Sequence, residues 1–199
     1  MLKFFSVTVV IGALLVSGCS EVESDIFTPA VSRLKTSYQL AKDYQTKLLP
    51  SRMHFTRVQL DVDGDGSNEV FVATQNYNNE LHTQQTAPNS TFAFYRIGKN
   101  GSVSQERRLL NGDRMGCVHP RKAIASDFNL DGIMDVFVAC HGWDDAPFPG
   151  ERNKLVLSQS DGTFIIRDAS SQIGFFHSAA AADFNGDGAP DVIVVGANK

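Results

Sequence analysis

Residues 127–140 read DFNLDGIMDVFVAC, and this stretch decides the fold. Its first nine residues put side-chain oxygens at positions 1, 3, 5 and 9 (Asp127, Asn129, Asp131 and Asp135), with Gly132 at position 6. From position 9 onward the chain is apolar and partly β-branched, the composition of a buried strand. Working outward, DVDGDGSNE at 61–69 and DFNGDGAPD at 183–191 repeat the pattern and run on into EVFVA and DVIVV. One copy would be a weak signal. Three copies of D-x-[DN]-x-D-G-x-x-[DE], 66 and 56 residues apart, mark an internal repeat.

The spacing suits a hard cation. Ca2+ takes about six to eight oxygens in flexible geometry, and a glycine at position 6 permits the sharp reversal around it. Loop one offers Asp61, Asp63, Asp65, the Ser67 carbonyl and Glu69. Loop two offers Asp127, Asn129, Asp131, the Ile133 carbonyl and Asp135. Loop three offers Asp183, Asn185, Asp187, the Ala189 carbonyl and Asp191. These sets use 10 of the 22 acidic residues, so without a cation each loop crowds like charges. Up to three Ca2+ are expected. The alternative is a set of polar Asx turns without metal. An EF-hand would need Glu at position 12 and flanking helices, whereas position 12 here is Val72, Val138 or Val194 within strand-like segments. Each loop therefore joins two strands of a hairpin.

Over residues 51–199 the sequence resembles the FG-GAP/VCBS repeat family, the calcium-loop blades of integrin-α-like β-propellers. The resemblance implies an all-β fold, a partial propeller of four-stranded antiparallel blades. Blade one is expected to use strands near 54–60, 69–75, 91–97 and 103–110, with a turn at Lys99-Asn100-Gly101. Blade two is expected near 121–126, 135–140, 153–158 and 163–168, turning at Ser160-Asp161-Gly162. Asn-Gly and Asp-Gly pairs are hairpin-turn signals. Blade three has strands near 177–182 and 191–196 only. About two and a half blades fall short of the usual four to eight. The apolar edge Val192-Ile193-Val194-Val195 then invites pairing. A fragment of a longer propeller protein, closure as a homo-oligomer, and addition of the edge to a partner are the readings.

The other end of the chain is an address. Residues 1–18 combine Lys3 with an uncharged run from Phe4 to Val16 and small residues, the pattern of a signal peptide. Val16-Ser17-Gly18-Cys19 resembles the bacterial lipobox, which implies a lipoprotein anchored to the membrane through acylated Cys19. Ser20, in place of Asp, favours the outer membrane, facing either the periplasm or the cell surface. Residues 19–50 are expected to form a tether and an amphipathic helix over 29–48, started by Thr28-Pro29 and stopped before Pro50. Loss of Lys3 leaves 17 basic against 22 acidic residues in the mature chain. That balance, without a basic run, excludes a nucleic-acid binder.

Export exposes Cys117 and Cys140 to an oxidising compartment, where a disulfide between them would persist. The connection 141–152, HGWDDAPFPGER, is a candidate ligand-contact loop through His141, Trp143, Asp144, Asp145 and Phe148. The competing reading is a crossing loop whose Trp143 packs between blades. Residues 76–90, with Tyr77 and His82, read as a solvated rim loop. His119 and His177 show no zinc-ligand spacing in sequence. No nucleophile elbow, phosphate loop or dinucleotide fingerprint occurs. The expected function is a non-catalytic, calcium-stabilised module for adhesion or for binding a protein or glycan. The alternative is a polysaccharide-active enzyme or enzyme accessory.

Overall fold

The computed structural model describes residues 4–6, 54–98, 100–106 and 116–197. Cys19, the helix expected over 29–48, Lys99 and residues 107–110 lie outside them.

Every element among the described residues is a strand. The first sheet holds β2 (His54–Leu60), β3 (Glu69–Thr74), β4 (Thr91–Ile97) and β5 (Val103–Gln105) in that spatial order. The second holds β6 (Pro120–Ser126), β7 (Asp135–Cys140), β8 (Lys154–Ser158) and β9 (Phe164–Asp168), again in sequence order. The third pairs β10 (Phe175–Ala182) with β11 (Asp191–Ala197). Neighbours in these meanders are antiparallel. A three-residue strand, β1 (Phe4–Ser6), lies parallel to β11, with Phe5 opposite Ile193. It falls within the stretch expected to be the leader. The fold is therefore all-β, with two four-stranded blades and the first hairpin of a third, a partial propeller.

Strand chemistry sets the stacking. In β7 the side chains alternate across the sheet, as the two-residue period of a strand requires. Val136, Val138 and Cys140 enter one apolar cluster with Phe71, Phe92, Phe94 and Phe164 of the first and second sheets. Phe137 and Ala139 enter another with Phe176, Ala179, Val192 and Val194 of the third. All six residues of β7 are buried, so the middle sheet is covered on both faces. The aromatic rings interlock edge to face, with Phe71 and Phe92 centroids 5.2 Å apart. Between blades the Thr56 hydroxyl accepts the Ala123 N–H at 2.8 Å. The hairpin turns come where glycine permits a positive φ, Gly101 at 75° and Gly162 at 77°.

A disulfide joins Cys117, just before β6, to Cys140 at the end of β7, with Cα atoms 6.1 Å apart. The Cys117 carbonyl also accepts the Ser90 N–H at 2.8 Å, which ties the start of β4 to the same point.

Candidate functional site

The three acidic loops join β2 to β3, β6 to β7 and β10 to β11, all at the same end of their hairpins. They share one internal pattern of hydrogen bonds. The position-1 carboxylate accepts the position-6 N–H: Gly66 to Asp61 at 2.9 Å, Gly132 to Asp127 at 2.9 Å and Gly188 to Asp183 at 2.8 Å. The position-5 carboxylate accepts the position-7 N–H: Ser67 to Asp65 at 2.7 Å, Ile133 to Asp131 at 2.8 Å and Ala189 to Asp187 at 3.0 Å. The buried position-9 carboxylate accepts the position-2 N–H: Val62 to Glu69 at 3.2 Å, Phe128 to Asp135 at 2.8 Å and Phe184 to Asp191 at 3.2 Å. Positions 4 and 6 have positive φ in every loop, and position 4 of loop two is Leu130 at 62° rather than glycine.

Side-chain surroundings separate the loops. In loop one the Arg96 guanidinium reaches in from β4, 2.6 Å from Asp63 Oδ2 and 3.0 Å from Asp65 Oδ2. Glu69 Oε1 is buried, makes no hydrogen bond among the described residues and faces Arg96 Nη2 at 3.2 Å. Burial raises the Glu69 carboxyl above its ordinary range, against the pull of the Val62 N–H and Arg96. In loop two the Ser158 hydroxyl lies 2.7 Å from Asp131 Oδ2 and 2.8 Å from Asp135 Oδ1. Asp135 also accepts the N–H groups of Asn129 and Ser158, so it pins the loop to β8. Burial pushes Asp135 up while these donors pull it down.

These donor sets fit a calcium ion in loops two and three: Asp127, Asn129, Asp131 and the Ile133 carbonyl, then Asp183, Asn185, Asp187 and the Ala189 carbonyl, with Asp135 and Asp191 anchoring each loop. In loop one, Asp61, Asp63 and Asp65 bring carboxylate oxygens within 4.8 Å of one another, and Asp63, Asp65 and Glu69 already face the Arg96 guanidinium. Sequence reading missed Arg96, because its position depends on the register that sets Val70 opposite Tyr95.

In the connection 141–152, residues 141–143 are buried and residues 144–149 are exposed. His141 is buried, and Trp143 packs on Tyr77 with centroids 5.1 Å apart. Asp144 and Asp145 are exposed, and Phe148 is the one large apolar side chain the loop presents to solvent. Within 76–90, residues 78–81 are exposed as a solvated rim requires, but Tyr77 is buried, and its hydroxyl lies 2.7 Å from His119 Nδ1. A phenol with a polar tip can be buried when that tip finds a partner. Burial pushes Tyr77 up to about 12, with Asp144 adding to the shift, and pushes His119 down to about 4, aided by Arg121.

Beside this loop, Phe148, Gly150, Ile173, Phe175 and Ala197 line an open cavity of about 340 Å³.

Residues 127–194, from loop two to the strand after loop three, match the sequence model of the FG-GAP-like repeat. The matched stretch carries the hairpins of the second and third sheets, so it agrees with a propeller built of such repeats. No curated protein matches this chain.

Proposed function

We propose that this chain is a calcium-stabilised binding module of the propeller type, exported, held at the outer membrane through a lipid on Cys19, and presenting a surface for a protein or glycan ligand. The observation that carries this reading is the common carboxylate-to-backbone bonding of the three loops. It gathers several acidic oxygens on one turn, and an ion offsets their repulsion. Metal binding of this kind is folding free energy, because the unfolded chain has no formed site. Calcium enters loops two and three first, while loop one must displace Arg96.

The ligand face in this proposal is the end away from the loops, where Phe148 and Ile173 stand 42% and 57% exposed around the cavity. An aromatic face beside exposed Asp144 and Asp145 suits stacking on a sugar ring or a peptide side chain.

Calorimetric titration with Ca2+ and thermal melts in Ca2+ and in EDTA test the first half. EDTA should lower Tm by several degrees, and Asp131→Asn with Asp187→Asn should remove most of that difference. A melt indifferent to calcium overturns it. Glycan and peptide arrays probed with wild type and with Phe148→Ala test the second.

A further inference from the structure

The acidic loops are not the only place where metal-ligating groups converge. At the opposite end of the β6–β7 hairpin, His119 and His141 are cross-strand neighbours, joined by the His141 N–H to the His119 carbonyl at 2.9 Å. Asp144, three residues on, turns its carboxylate toward both rings. Its Oδ1 lies 3.7 Å from His141 Nδ1 and its Oδ2 lies 3.9 Å from His119 Nδ1. One ligand atom from each of the three residues falls within 4.8 Å of the others.

We propose that His119, His141 and Asp144 form a site for a transition-metal dication of the zinc class, separate from the calcium loops. Two imidazoles and one carboxylate are borderline-soft and hard donors together, a set that suits Zn2+ or Co2+ and not Ca2+, which takes oxygens. Ligand atoms about 2.0–2.1 Å from a tetrahedral ion lie about 3.3–3.5 Å apart, so the two carboxylate-to-imidazole spacings of 3.7 and 3.9 Å close by a few tenths of an ångström, and the widest of the three, within 4.8 Å, by at most about 1.5 Å.

A second observation points the same way. His141 is 2% exposed, and its Nδ1 is buried with no hydrogen-bond partner among the described residues. A buried imidazole that served only as packing would be expected to satisfy that nitrogen. Here it faces a carboxylate oxygen 3.7 Å away, beyond hydrogen-bond reach. Asp144 is 41% exposed, so the ion would be open to solvent on one side and keep a position for water or a ligand atom. The His177 ring, 4.5 Å from that of His141, adds a further imidazole beside it.

Arg121 opposes the ion. Its Nη1 lies 3.2 Å from His119 Nε2 and, being a donor only, makes that nitrogen an acceptor. The ring proton then sits on Nδ1 and points at the Tyr77 hydroxyl, 2.7 Å away. Coordination of the neutral ring through Nδ1 moves its proton to Nε2, where it meets the guanidinium, so Arg121, which is only partly buried, must turn aside. A glutamine at 121 could accept from Nε2–H instead.

The test uses the full chain in detergent micelles, saturated with calcium, and titrates Co2+ by visible absorption with Zn2+ as competitor. One Co2+ per chain with a band of tetrahedral character, displaced by one Zn2+, is expected. Asp144→Asn, which keeps a side chain of the same shape at a partly exposed position, should weaken binding at least about tenfold. His119→Ala with His141→Ala should abolish it, with calcium binding as the check on folding. Arg121→Gln should tighten it. Asp131→Asn with Asp187→Asn should leave the Co2+ stoichiometry at one. Absence of the band in wild type, or a band that survives Asp144→Asn unchanged, overturns the proposal.

Discussion

Arg96 Nη2 lies 2.6 Å from Asp63 Oδ2, so a side chain from the third strand of the blade stands among the carboxylates of the first loop. A guanidinium carries one charge where a calcium ion would carry two, and it offers donors in a fixed plane rather than a sphere of coordination. In the proposed function the two cations compete for the same oxygens. Arg96→Gln should therefore raise the calcium affinity of loop one about tenfold or more, seen as a third, tighter step in calorimetry. In EDTA the same variant should melt below wild type, because Asp63, Asp65 and Glu69 lose their only described cationic neighbour at hydrogen-bonding range. A variant that changes neither quantity would show that Arg96 is a bystander.

Ser158 does in loop two what Arg96 does in loop one, without charge. Its hydroxyl oxygen lies between Asp131 and Asp135, at 2.7 and 2.8 Å, and its one proton is shared between the two carboxylates. Ser158→Ala should cost about 1–3 kcal/mol in urea denaturation, since Asp135 is fully buried and loses a donor. The loss should be larger in EDTA than in calcium.

Leu130 holds φ at 62° where loops one and three have Gly64 and Gly186. Its side chain is 60% exposed, so little packing rewards the strained backbone. Leu130→Gly should stabilise the chain by about 1 kcal/mol and raise Tm by about 2–4 °C. An equal or lower Tm would mean that the entropy of glycine in the unfolded chain cancels the relief.

Lys154 Nζ lies 2.6 Å from Asp168 Oδ1 across β8 and β9, and this hydrogen bond holds the Asp168 carboxyl below its ordinary range. A depressed carboxyl contributes stability that is present above its unfolded pKa and lost as pH falls through the folded one. Urea midpoints should therefore fall between about pH 5 and about pH 2, and Lys154→Met should flatten that fall. An unchanged acid limb would remove Asp168 as its source.

The strands and loops were legible because their signals are local. EVFVA, DVFVA and DVIVV name their own conformation, and the glycines at position 6 mark the turns. Register was not legible. Glu69 and Arg96 are 27 positions apart in sequence, and a long connection between β3 and β4 hides how they align. The same limit hid His119, His141 and Asp144. No motif spacing links them, and they meet only because β6 and β7 pair with Pro120 opposite Cys140. Tyr77, in a polar stretch, looked solvated because nothing nearby in sequence announces the histidine that its hydroxyl meets. Trp143 offered two readings, and burial against Tyr77 agrees with the packing one.

The bond between Cys117 and Cys140 stands two residues before His119 and one before His141. It thus clamps the two strand ends from which both imidazoles project. A newly made chain in a reducing cytosol lacks that clamp, and gains it only where disulfides persist. On the export route of the proposed function, assembly has a sequence in time: crossing the membrane, oxidation, and only afterwards a histidine pair held at fixed separation. On that route the covalent link would act as a passport stamp, reserving the imidazole pair of the proposed metal site for whichever ions the far compartment supplies.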